Sequence, residues 1–267
     1  MSIKAGGAQG KPALRGEFSR QSDRGAGWPE GYRHLVLERV GSTFEAARRA
    51  DLPAPFWLMA HQQSAARGRH GRRWSMSEGN FAATLVLRLS DPPARQALRS
   101  FAMAVAVLET LEDLTGDAGL LALKWPNDVL MNGGKVAGIL LEADGAGHLA
   151  IGVGVNLADA PAAADVEPGA LRPVAVATET GFRITPEDFL PSLAGRFADV
   201  EARFVASGFG PVRSAWLARA ARLGEVISAR LSDKVLQGRF DGIDADGQLV
   251  LQTANGVRTV SAADIYF

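Results

Sequence analysis

The 267-residue chain has no cysteine. That removes disulfides, thiol nucleophiles, zinc–cysteine sites and iron–sulfur clusters. It has no excess charge of either sign, with 29 Lys+Arg against 29 Asp+Glu. A general nucleic-acid binder carries a basic surplus, so only a local basic patch could serve such a partner here. Tyrosine is scarce, at two residues, which weighs further against an RNA-stacking surface. No run of about 18 apolar residues exists, so no membrane-spanning helix is predicted. Phe101–Leu111 is apolar but short and broken by Glu109, which suits a core helix. The first thirty residues are rich in Gly, Arg and Ser and lack the apolar stretch of a signal peptide. A cytoplasmic location and a flexible tail over residues 1–30 are the expectations.

What is present is globular material: 47% hydrophobic and 22% charged residues, enough for a core without disulfide or metal staples. Tyr32–Val40 alternates and reads as a strand. Ser42-Thr43-Phe44-Glu45 has the capping-box pattern and predicts a helix to about Ala50, ended by Pro53 and Pro55. Strands are predicted over Phe56–Gln62, Phe81–Leu89, Leu120–Lys124, Val129–Met131, Lys135–Glu142 and Leu149–Val155. A single helix is predicted from Asp91-Pro92-Pro93 to about Leu114. Asn132-Gly133-Gly134 is a hairpin turn signal. Helical spacing returns over Thr185–Phe204 and Pro211–Arg219. From Gly224 onward short alternating runs lie between turns such as Asp246-Gly247 and Asn255-Gly256. The predicted fold is α+β: a mixed, largely antiparallel sheet with helices packed on one side, plus a small C-terminal SH3-like barrel. The predicted division is a tail over 1–30, a main domain over 31–222 and the barrel over 223–267.

Three segments carry candidate chemistry. Arg67-Gly68-Arg69-His70-Gly71-Arg72-Arg73-Trp74 lies in Ser64–Asn80, which has little hydrophobic periodicity and reads as a loop. Glycines let backbone approach a ligand, and arginine forks suit phosphate or carboxylate. A solvated basic loop explains the same composition equally well. Lys124-Trp125-Pro126-Asn127-Asp128 sets an ammonium, an amide and a carboxylate at a strand break; a plain turn beside a core tryptophan is the alternative. In Lys135–Glu142 a lysine enters an apolar strand, where an edge charge against aggregation is the commoner reason. Ala137 and Gly138 beside it point to something packing close to the backbone.

Together, in this order, these segments resemble the biotin protein ligase family. The family's loop G-R-G-R-x-G-R-x-W corresponds to Ala66–Trp74, with alanine at the first glycine. Its K-W-P-N-D block is intact at Lys124–Asp128, its K-x-x-G-I-L-x-E strand at Lys135–Glu142, and its G-x-G-x-N strand end at Gly152–Asn156. Ser42-Thr43 matches the pair that opens the first helix, although Phe44 stands where the family often has Asn or Asp. The resemblance spans about residues 32–265.

The resemblance implies an ATP-dependent ligase that makes biotinyl-5′-adenylate and passes biotin to a lysine of a biotin carboxyl carrier domain of an acyl-CoA carboxylase. It implies Lys135 and Arg69 as catalytic groups. It implies biotin contacts from Ser42, Thr43, Phe44, Gln63, Arg67, Gly68, Arg69, Lys135, Gly138 and Ile139. ATP contacts are implied for Arg69, Arg72, Trp74, Lys124, Asn127, Asp128, Lys135 and Asn156, with Asp128 helping to hold Mg²⁺. Monomer and homodimer both occur in the family. No general base for the acceptor lysine is evident; His61, His70 and His148 qualify by type only. A lipoate or octanoate ligase or transferase of the same fold is the nearest alternative. About 30 residues before the first strand are too few for a winged-helix domain, so no nucleic-acid partner is expected.

Overall fold

The computed structural model describes residues 28–266, except residues 51, 145–146, 163–165, 167–169 and 232–233. The tail expected over residues 1–30 lies almost wholly outside that set. Seven strands form the main sheet: β1 (Arg33–Val40), β2 (Phe56–Gln63), β3 (Phe81–Arg88), β4 (Leu121–Lys124), β5 (Asp128–Met131), β6 (Gly134–Ala143) and β7 (His148–Val155). Their order is β1-β2-β3-β7-β6-β5-β4. β1 and β2 are parallel and every other pair is antiparallel. The crossover between β1 and β2 carries helix α1 (Thr43–Arg49), since parallel neighbours cannot be joined by a tight turn.

Strand alternation gives the sheet two different faces. Trp57, Met59, Phe81, Ala83, Leu85, Ile139, Ile151, Val153 and Val155 turn to one side and form the main core. Helices α3 (Arg99–Thr115), α5 (Pro186–Ser207) and α6 (Phe209–Leu217) cover that side. α3 is apolar nearly all round because it is enclosed by both sheet and helices: Phe101 to Leu108 are all buried. It ends at Gly116, whose φ of +72° closes the last turn. Leu35, Leu37, Phe44, Ala47, Phe56, Leu58 and Ala60 form a smaller cluster. The long helices therefore share one face, while the short α1 sits on the opposite one.

The predicted helix from Asp91 to Leu114 is two helices, α2 (Pro93–Ala97) and α3, parted at Leu98. There the Leu98 N–H reaches back only three residues, to the Arg95 carbonyl. Arg99 then turns inward, 1% exposed, to Glu201 at 2.7 Å and Asp91 at 2.8 Å. The capping box is half formed. Ser42 Oγ accepts from Phe44 N–H, but Glu45 turns to Arg49 at 3.6 Å. Two short elements carry no sequence signal: α4 (Val176–Thr180) and β12 (Asp264–Tyr266).

The C-terminal strands β8 (Val226–Arg230), β9 (Val235–Ile243), β10 (Leu249–Thr253), β11 (Gly256–Val260) and β12 form an antiparallel five-stranded sheet, ordered β11-β10-β9-β8-β12. Its core is continuous with the main one. Trp216 meets Phe240 edge-on at 6.5 Å, and Trp125 Nε1 donates to the Gly247 carbonyl at 3.0 Å. Both contacts tie the small sheet to the main domain.

Candidate active site

One cavity of about 490 Å³ opens on the sheet face opposite the long helices. α1, the 64–80 loop, the Lys124–Asp128 turn, β6, β7 and β12 all border it. Every residue the sequence singled out for ligand contact lines it.

Its floor is made by glycines. A Cβ on Gly154 would lie 2.6–2.8 Å from the Trp74 indole, and one on Gly138 would lie 3.2 Å from the same ring. A Cβ on Gly152 would lie 3.3 Å from Phe44 Cδ2. Two aromatic rings thus rest on bare backbone at successive outward positions of β7. The resemblance implied Ile139 as a biotin contact; it borders the cavity, but its side chain belongs to the main core. Neighbouring strand residues face opposite ways, and Leu140 takes the outward place.

Beside Phe44, at the start of α1, lies a polar trio. The Thr43 N–H and Oγ1 both donate to Gln63 Oε1, at 2.8 and 3.1 Å, and Thr84 Oγ1 donates to Thr43 Oγ1 at 3.0 Å. A backbone N–H can only donate, so the Gln63 amide is fixed with its NH₂ at the other end, 3.6 Å from Met76 Sδ. Ser42 Oγ accepts from Phe44 N–H, and its own hydrogen is left to donate. The cavity therefore offers donors to a carbonyl acceptor.

The charged end is crowded. Lys135 Nζ lies 2.6 Å from Asp128 Oδ1, and Lys124 Nζ lies 3.8 Å from Oδ2. Burial pushes the Lys124 ammonium below its ordinary pKa, with Asp128 opposing the shift. Burial likewise lowers Arg69, whose Nη1 donates to Asn127 Oδ1 at 3.4 Å. Asn127 Nδ2 donates to the Ile139 carbonyl at 2.6 Å and holds the turn against β6. Lys135 Nζ also lies 5.7 Å from the centre of the Trp74 ring. The Asn156 amide donates to the Val174 carbonyl at 3.0 Å, so it braces the chain that returns past Lys135.

Asp264 carries no sequence signal. It sits on β12, 192 residues from Arg72, and receives both Arg72 Nη1 (3.2 Å) and Nη2 (2.5 Å). The hydrogen bonds from Arg72 hold its carboxyl below the usual range. Only the tertiary fold brings this anion to the arginine loop.

The donor set does not fit a protein-held divalent cation. Asp128 is a single carboxylate between two ammonium groups, and Asp264 is taken by Arg72. Among the described residues no group of three His, Cys, Asp or Glu side chains could hold a metal. The single Asp128 carboxylate would suit only a Mg²⁺ that keeps its waters and is carried mainly by substrate phosphates, with Asp128 helping to hold it.

Residues 36–156 match the model of the biotin/lipoate A/B protein ligase family, and residues 223–267 match the biotin protein ligase C-terminal domain. A biotin–[acetyl-CoA-carboxylase] ligase of Paracoccus denitrificans is 50% identical, covering 87% of this chain and 99% of the relative. The chain belongs to the biotin protein ligase family. A ligase of the same name from Mycobacterium tuberculosis is 32% identical over 96% of both chains. The biotin protein ligase of Aquifex aeolicus, solved with biotin and ATP, shares the fold. Its TM-score is 0.77 at 24% identity, over 87% of this chain and 97% of that one. Among the described residues no helix of this ligase is long and apolar enough to cross a membrane.

Proposed function

We propose that the cavity is the biotin- and ATP-binding site of an ATP-dependent biotin ligase. The enzyme activates biotin as biotinyl-5′-adenylate and transfers the biotinyl group to a lysine of a biotin carboxyl carrier protein. In the first step a biotin carboxylate oxygen attacks the α-phosphorus and pyrophosphate leaves. In the second the acceptor amine attacks the acyl carbon and AMP leaves. The first step presses a carboxylate onto a polyphosphate, so its barrier is electrostatic repulsion.

The observation that carries the reading is the Lys135 ammonium at the rim of a glycine floor, between a polar slot and a cluster of arginines. A lysine at that position is a compact charge that can shift from Asp128 to the developing anion. Arg67, Arg69 and the Gly68 backbone close over carboxylate and adenylate. Arg72 leaves Asp264 for the polyphosphate, and Lys124 and Asn127 serve phosphates from the turn. Trp74 and Phe44 flank the fused ring of biotin, while Ser42 and Gln63 donate to the carbonyl of its ureido group. A lipoyl dithiolane offers these groups no acceptor, and each buried donor left unpaired costs about 1–3 kcal/mol. The slot thus favours biotin over lipoate.

We assign the catalytic unit to residues 31–222 and the barrel to 223–267, with β12 closing the nucleotide end. The acceptor is read as the carrier domain of an acyl-CoA carboxylase. The test is biotin-dependent exchange of label between pyrophosphate and ATP, with free biotin and lipoate compared as substrates. Exchange with biotin alone is expected; exchange driven by lipoate, or none, sinks the reading.

A further inference from the structure

The arginine loop is attached at two roots that are built differently. At the first, the N–H groups of Ser64 and Ala65 donate to the carbonyls of Val40 and Gly41, at 3.1 and 2.7 Å. Nearly any residue supplies such backbone bonds. At the second, the attachment is a side chain. Asn80 is 2% exposed. Its Oδ1 accepts from the N–H groups of Ala158 at 2.9 Å and Asp159 at 3.2 Å, and its Nδ2 donates to the Asp159 carbonyl at 2.7 Å. Its own N–H closes a turn on the Ser77 carbonyl at 3.2 Å. Beside it, Gly79 has φ +79°, and a Cβ there would lie 2.9 Å from Ala158 Cβ. The end of the loop lies flat on the chain that leaves β7.

This root sits where the loop's aim is decided. Asn80 immediately precedes Phe81, which pairs with Val155 of β7. Trp74, six residues upstream, rests on Gly154 of the same strand. Fixing residue 80 to residues 158–159 fixes the point from which the loop reaches back over Lys135. An asparagine amide does this with one acceptor oxygen and one donor nitrogen; alanine offers neither, and aspartate keeps only the acceptors.

We infer that Asn80 is a positioning residue. By holding the second root, it keeps the arginine loop over the acyl adenylate and sets how much intermediate reaches the acceptor lysine rather than water. This rests on the ligase reading above. In the leak, water adds to the acyl carbon, the bond from that carbon to the phosphate oxygen breaks, and free carboxylate, AMP and a solvent proton result. In the productive step the lysine amine takes the place of water and an amide forms.

The full chain is given biotin, ATP and a carrier domain, and AMP released is compared with amide formed. The two are expected to be close to equal for the wild type. Asn80→Ala should raise the excess of AMP over amide on the order of tenfold, while pyrophosphate exchange persists. Gly79→Ala lifts the same root without touching the amide and should shift the ratio in the same direction. Asn80→Asp keeps the two acceptor bonds and should fall between. A role confined to folding would lower the melting temperature and the active fraction, yet leave the ratio unchanged, because the ratio is counted per turnover. A wild-type ratio in Asn80→Ala and Gly79→Ala overturns the inference. If Asn80→Ala does not fold, Gly79→Ala and Asn80→Asp decide alone. Absence of biotin-dependent exchange in the wild type would instead sink the ligase reading.

Discussion

On β7, Ile151, Val153 and Val155 turn into the main core, while Gly152 and Gly154 turn the other way, toward the cavity. The same five residues therefore serve two faces with opposite needs. The helical face is filled: Phe81 meets Phe189 edge-on at 4.9 Å, and both are fully buried. Such packing supplies stability. The other face is kept open by absent side chains and lined with groups costly to bury, among them Lys124, Lys135 and Asp128. It can hold them because the opposite face stabilises the sheet independently. Binding capacity here comes from what the strands leave out.

Five substitutions break or sharpen this contrast. Lys135→Ala on the open face should cut biotin-dependent pyrophosphate exchange by about 10²–10³ and leave the unfolding midpoint nearly unchanged. Near-normal exchange would remove Lys135 from its role. Phe81→Ala on the filled face should do the reverse. It should cost about 3–5 kcal/mol in denaturant unfolding, with biotin affinity of the folded fraction retained; a loss below about 1 kcal/mol would mean that stability is not stored there.

Gly154→Ala tests the floor. Its Cβ would press on the Trp74 ring, and overpacking costs about 1–3 kcal/mol, so calorimetry should show biotin binding weakened by roughly 5- to 150-fold. Val153→Ala, one residue away and facing the core, should lower stability without that loss.

Asp264→Asn has the smallest expected effect. Arg72 depresses the Asp264 pKa, so the pair's stabilisation is fully present above the unfolded carboxyl value of about 3.9. It is lost as pH falls through the lower folded value. Wild type should exceed the variant by no more than about 1 kcal/mol near neutrality, because Arg72 is partly exposed. That gap should close as acid unfolding proceeds below pH ~4; a constant gap would mean the ion pair is not the cause.

Much of this was legible in the chain. Alternation located β1 and β3, and the arginine loop stood out because it lacks any apolar period. Gly-rich turns separated the barrel strands. Those signals are local, arising from side-chain spacing and backbone freedom over a few residues. The break at Leu98 was not legible, because it follows the inward turn of Arg99 toward Glu201, 102 residues away. β12 was too short to show a period. Asn80 looked like the last residue of a loop, since its partners at 158–159 have no sequence relation to it.

The sequence by itself determined every strand but β12, the glycine positions, the charged loop and the lysine at the head of β6. It also carried the family resemblance that names the reaction. The tertiary structure alone decided that Asp264 faces Arg72, that Asn80 anchors the loop to the chain beyond β7, and that the glycines lie under Phe44 and Trp74. The physical reason is range. Periodicity and turn chemistry act between near neighbours, whereas ion pairs and ring contacts depend only on distance in space, which chain order does not encode.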